Sequence, residues 1–129
     1  MSMLVLAALL ANVAPSPAHC LDLRSGDARV TFEGRVVRRP FTDNVGRPEP
    51  SYILILDRPT CADDGGNFAD PRTRIGRVHL VPTELRFWPR IRATLGHRVR
   101  VRGTAHAAMT AHHHAPLVAE VNGITMLRR

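Results

Sequence analysis

Lysine is absent from this sequence: all 18 basic residues are arginine, set against 11 acids. Arginine codons are GC-rich, so coding bias accounts for the replacement more simply than a recognition device does. Cysteine occurs only twice and without Cys-x-x-Cys spacing, which removes the thiolate-rich zinc site and the dithiol redox motif. Aromatics make up 5%, thin for the stacking platforms that single-strand nucleic-acid binders use. The apolar run Leu4–Ala14 is too short for a membrane span of about 20 residues. Catalytic patterns are missing as well. There is no phosphate-cradling glycine loop, no paired carboxylates at suggestive spacing and no nucleophile with an obvious base, and Ser25 and Ser51 lie outside any hydrolase-like motif. No enzymatic activity is expected.

What is present is organised around Leu95–Leu127. Val99 and Val101 alternate with Arg98, Arg100 and Arg102, the period of a half-buried strand. A second apolar strand is expected over Leu117–Met126, broken at Asn122-Gly123. Between the two strands stand His106, His112, His113 and His114, in a segment with no other ionisable side chain.

Upstream, Ala28–Arg39 alternates with Val30, Phe32 and Val36 facing inward, and Gly34 marks a bend or bulge. After a Pro/Gly/Asn loop, Ser51–Arg58 is apolar at nearly every position, as a central strand is. The acids of the following loop (Asp63, Asp64, Asp70) lack the order of a calcium loop and read as a solvated turn. Ile75–Val81 is a third strand. A helix should follow, capped by Thr83, with Leu85, Trp88, Ile91 and Leu95 on one face, Pro89 kinking it or starting its second half, and Gly96 ending it.

At the N-terminus, Leu4–Ala14 and the small residues Ser16 and Ala18 form a leader with a cleavage site, so residues 1–18 are expected to be a signal peptide and 19–129 one domain. Export, to the periplasm or beyond the cell, supplies an oxidant. Cys20 and Cys61 should therefore pair, closing a loop of about 40 residues worth roughly 3–4 kcal/mol on the chain-entropy account.

The expected order is strand, strand, strand, helix, strand, strand, with a long glycine-centred first strand. That is an all-β domain with one helix, connected as in the oligonucleotide/oligosaccharide-binding (OB) barrel, a five-stranded Greek key whose helix lies between strands three and four. The histidine segment then becomes the loop between strands four and five, which OB folds often use for ligands. Four local features (Cys20, L-D-R-P-T-C ending at Cys61, L-G-H-R-V-R-V-R-G-T, and H-H-H-A-P-L from His112) resemble a family of short exported bacterial domains of unknown function. The family pattern has further histidines ahead of the triplet and a glycine immediately before it, where this chain has Ala107, Met109 and Ala111. The resemblance implies the barrel and export, and no activity or cofactor.

Three functions of different class follow. The first is a non-catalytic binding or structural domain acting through its loops. The second is a divalent metal site: if the triplet runs on into a strand, His112 and His114 share one face, His113 takes the other, and His106 across the hairpin is the third ligand. Cleavage after Ala18 would also make His19 a first residue able to chelate a copper-type ion through its amine and imidazole. The alternative for the triplet is a hydrogen-bonded brace for the hairpin. The third function is a weak polyanion or nucleic-acid binder through Arg98, Arg100 and Arg102, consistent with the net charge of +7, against which stands an ordinary solvated face.

Overall fold

The computed structural model describes residues 20–128, so the segment expected to be a leader, and His19, lie outside the described residues. Among the described residues seven strands run in chain order: β1 (Leu21–Asp22), β2 (Ala28–Arg39), β3 (Ser51–Thr60), β4 (Ala62–Asp63), β5 (Ile75–Pro82), β6 (Arg98–Ala107) and β7 (Leu117–Met126). A 3-10 turn, Leu85–Phe87, leads into an α-helix, α1, Trp88–Ala93, between β5 and β6. No helix among the described residues is long and apolar enough to cross a membrane.

Five strands close on themselves in the order β2-β3-β5-β7-β6. All neighbours are antiparallel except β5 and β7, which run parallel from Val78↔Leu117 to Pro82↔Val121. The inward side chains are those the alternation placed there: Val30, Phe32 and Val36 on β2, and Val99 and Val101 on β6. They meet Leu54, Val78, Leu80, Leu117, Ala119 and Val121 in one core.

β2 is long because it serves two partners. Its first part pairs with β6, its last part with β3, and Gly34 and Arg35 pair on both sides. A Cβ on Gly34 would lie 2.1 Å from the Ile55 carbonyl oxygen, so only glycine permits this approach. Both ladders are continuous through Gly34; the expected bulge is elsewhere. Arg102 pairs with Gly123 and Gly103 with Val121, which leaves Asn122 as an extra residue on β7. The break expected at Asn122-Gly123 is therefore a bulge inside one unbroken strand, and a Cβ on Gly103 there would meet the Glu120 carbonyl oxygen at 2.0 Å.

The helical stretch also differs from expectation. Ile91 is fully buried and Trp88 packs against the core, but Leu85 is 81% exposed and Leu95 44%. Leu85 lies in the tighter 3-10 turn, whose winding takes it off the α-helical stripe, and Leu95 falls beyond the C-cap Thr94. Pro89 occupies the first turn of α1, where its missing N–H costs nothing. Thr83 is not the cap: its N–H and hydroxyl both donate to the Val121 carbonyl, tying the segment to β7, and Glu84 holds the N-cap position without a side-chain cap bond. Gly96 closes the stretch at φ +82°.

Cys20 and Cys61 are bonded, 41 residues apart. Beside them β1 and β4 form a short parallel pair, continued by hydrogen bonds from Leu21 N to the Cys61 carbonyl (2.8 Å) and from Leu23 N to the Asp63 carbonyl (2.7 Å). Leu23 and Ala62 join the core, so the bridge fastens the start of the domain to the barrel. These two short strands have no counterpart in the sequence reading, because two residues are too few to show a period.

Candidate functional site

Register pairs carry a row of side chains across three strands: Ile53 on β3 pairs with His79 on β5, which pairs with Val118 on β7. Val118 pairs in turn with His106 on β6. Ile53, His79 and Val118 are buried yet stand apart from the core, because they alternate with the inward Leu54, Val78, Leu80, Leu117 and Ala119. They point outward and are covered from outside. Over His79 lies loop 108–116, between β6 and β7, and against that loop lies loop 40–50, between β2 and β3.

Loop 40–50 is held by its own hydrogen bonds. The Asp43 carboxylate accepts the N–H groups of Val45 and Arg47, Asp43 N–H donates to the Arg47 carbonyl, and Glu49 N–H donates to the Phe41 carbonyl at 2.7 Å. This fold-back sets Phe41 and Glu49 side by side facing loop 108–116. The Phe41 ring stacks on His114 with centroids 4.1 Å apart and planes 9° from parallel. The two carboxylate oxygens of Glu49 take one histidine each: His112 Nδ1 at 2.5 Å and His114 Nε2 at 3.1 Å. The His114 side chain is 8% exposed and that of His112 60%, so His112 is the half of the clamp open to solvent.

His113 turns the other way. Its ring lies 5.2 Å from that of His106 and 6.5 Å from that of His79, and His79 is 5.6 Å from His114. Five imidazoles and one carboxylate thus form a single cluster. Hydrogen bonding places their ring protons. His79 Nδ1 accepts the His114 N–H at 3.2 Å, and His113 Nδ1 accepts those of Met109 (2.9 Å) and Thr110 (3.3 Å). Neutral His79 and His113 therefore carry their proton on Nε2 and have no lone pair left. His106 Nδ1 donates to the Ala107 carbonyl at 2.9 Å, leaving Nε2 free as an acceptor. His112 and His114 donate to Glu49, which leaves His112 Nε2 and His114 Nδ1 free.

Burial, then the neighbouring His114 and His113, pushes the pKa of His79 down to about 4, with Glu49 opposing. Burial followed by the neighbouring histidines also lowers that of His113. The hydrogen bond from His112, with a further one from His114, holds the Glu49 carboxyl below the ordinary glutamate range.

The triplet is not the start of a strand, since β7 begins at Leu117, and the alternation argument for it does not apply. His112 and His114 nevertheless converge, through Glu49. His106, expected to join them, is instead the neighbour of His113. Among the described residues no group of three His, Cys, Asp or Glu side chains is gathered around one point as a metal centre requires. Phe41, Glu49 and His79 are members the sequence does not single out, while His113, expected to face away from His112 and His114, meets His106 and His79 instead. His79 left a trace, a polar residue at the outward position between Val78 and Leu80; Glu49 left none.

His106 and Met109 also line a cavity of about 230 Å³ with Leu23, Asp27, Asn67 and Phe68. Below it the Asp64 carboxylate accepts the N–H groups of Gly66, Asn67, Phe68 and Ala69, which employs this acid in holding its own turn.

The arginine stripe lies along β6, at the other end of the strand that carries His106. Arg98 donates to Asp57 at 2.8 Å through Nε and to Glu33 at 3.4 Å, and Arg100 Nε donates to Glu33 at 2.8 Å. The hydrogen bond from Arg98 lowers the Asp57 pKa. Arg102 is exposed opposite Thr31 and Gly123. Two of the three cations are thus matched by carboxylates, Glu33 on β2 and Asp57 on β3.

Residues 77–125 match the family model of a domain of unknown function, DUF4431. The matched segment runs from β5 into β7 and contains all five clustered histidines, while Phe41 and Glu49 lie before it. No curated protein matches the chain.

Proposed function

We propose that this chain is an exported, non-catalytic OB-type domain that binds its ligand where loops 40–50 and 108–116 meet. The observation that carries the reading is the Glu49 clamp: one carboxylate engages both His112 and His114 and, with the Phe41–His114 stack, joins the two loops. The strand order β2-β3-β5-β7-β6, with its parallel β5–β7 pair, supports the OB assignment. In that fold these two loops flank the usual binding face, a fold-level analogy. The Cys20–Cys61 bond supports export, since such bonds persist in oxidising compartments. The ring protons of His106, His112 and His114 go to carbonyl and carboxylate partners, and Thr110 Oγ1 accepts from the His112 backbone.

A second reading, a divalent metal site, is favoured by one observation. The imidazoles whose hydrogen bonds leave a ring lone pair free are His106, His112 and His114, and carboxylate or carbonyl partners orient them as outer-shell groups orient metal ligands. Loop movement would have to gather them.

Backbone amide shifts recorded during titration with oligosaccharides, oligonucleotides, zinc and copper test both readings. Shifts confined to residues 41–49 and 106–116 are expected. A ligand that perturbs only the opposite face overturns the proposal, and a stoichiometric zinc or copper site lost in His112→Ala/His114→Ala selects the metal.

A further inference from the structure

The helical segment carries a second group of arginines, apart from the stripe on β6. Arg86, Arg90 and Arg92 are all exposed there. Arg86 pairs with Glu84 at 2.8 Å, an exposed pair of little strength, and among the described residues no carboxylate pairs with Arg90 or Arg92. The guanidinium carbons of Arg86 and Arg90 lie 5.4 and 5.8 Å from the centre of the Phe87 ring, one ring thus carrying two cations. Next to them Leu85 stands 81% exposed, an aliphatic side chain given to solvent at the edge of a cationic patch. Trp88 is half-buried against Tyr52, with ring centres 5.9 Å apart, and Tyr52 has the exposed Arg38 as its cross-strand neighbour.

Arginines around an aromatic pair, with an aliphatic tip and hardly any acid, make the composition of an interfacial segment. Cations there meet phosphate headgroups while the apolar tip enters the acyl boundary. A nucleic acid would need open aromatic faces to stack on, but the Phe87 ring is already approached by two guanidiniums and Trp88 is committed to Tyr52 and the core. We propose that Leu85–Arg92 seats the domain on a bilayer surface rich in anionic phospholipid, with Leu85 inserted and Arg86, Arg90 and Arg92 on the phosphates. The inference is independent of the histidine cluster.

Trp88 is the only tryptophan of the chain and sits inside the patch, so its emission reports directly. The oxidised protein is mixed with vesicles of phosphatidylcholine, alone or with phosphatidylglycerol, and followed by co-sedimentation and fluorescence. Binding is expected only to the anionic vesicles, with a blue shift of Trp88 and affinity that falls as salt rises. Arg90→Gln/Arg92→Gln should weaken binding by about tenfold or more, and Leu85→Ser should weaken it and remove the blue shift. Arg100→Gln, which removes a cation already matched by Glu33, should stay within about twofold. These positions are exposed or half-exposed, and the wild-type comparison of the two vesicle types decides even if a variant misfolds. Equal binding to neutral and anionic vesicles overturns the proposal. So does binding to single-stranded oligonucleotide as tight as to vesicles and insensitive to Leu85→Ser.

Discussion

Glu49 and His114 lie 65 residues apart in the chain, and the carboxylate oxygen of one is 3.1 Å from Nε2 of the other. Their contact, with that of His112 and the Phe41 stack, holds loop 108–116 down over His79. Glu49→Gln keeps the shape and removes the charge. Hydrogen exchange at residues 108–116 should accelerate in this variant while the barrel amides hardly change, and Tm should fall by no more than about 5 °C. Protection unchanged in that loop would show that the clamp holds nothing.

His79 links the cluster to pH. Its folded pKa of about 4 lies below the ordinary value of 6.5, so the folded state keeps the ring neutral where the unfolded chain takes up a proton. Its contribution is complete above about pH 6.5, declines as pH falls from there to about 4, and changes no further below that. The full shift corresponds to an upper limit of about 3 kcal/mol. His113 acts in the same sense, since its pKa is also lowered. In His79→Gln the loss of stability between pH 6.5 and 4 should be clearly shallower than in wild type. Parallel denaturation curves for the two proteins across that range would refute the assignment.

Two glycines should respond in opposite ways to the same change. Gly34→Ala places a methyl group against the Ile55 carbonyl and should cost at least about 3 kcal/mol, enough to reduce soluble yield. Gly76→Ala meets nothing within 4 Å and should leave Tm within about 2 °C. Chemical denaturation of both variants measures the contrast. Similar values for the two would mean that β2 does not need the close approach.

The Cys20–Cys61 bond makes a prediction in solution. Thiol labelling of unreduced, denatured protein from an oxidising compartment should find no free sulfur. Reduction should lower stability by about 2–4 kcal/mol and release β1 from β4. Two reactive thiols per chain in such material would remove the bond and, with it, the main support for export.

Much of the barrel was legible because a strand's period is local. Val30, Phe32 and Val36, like Val99 and Val101, show their inward face in the order of the residues alone, and β2 and β7 have the limits read from that order. The cysteine pairing was legible for a different reason, because only two cysteines exist to pair. The helix was half legible. Its hydrophobic spacing is visible in the sequence, but the switch from 3-10 to α winding beside Leu85 and the tie of Thr83 to Val121, 38 residues away, are not.

The site was decided by tertiary structure. Strand alternation would pair His112 with His114, but they lie in no strand; Glu49, from a loop 63 and 65 residues earlier, brings them together. Hairpin proximity would put His106 with them, but the turn at Thr110 swings His113 toward it instead. The order of residues therefore determined which side chains could line a strand, because that depends only on a repeat of two. Which of them meet across loops depends on how the barrel closes and which loops then share an edge, a non-local outcome set only once the core has packed.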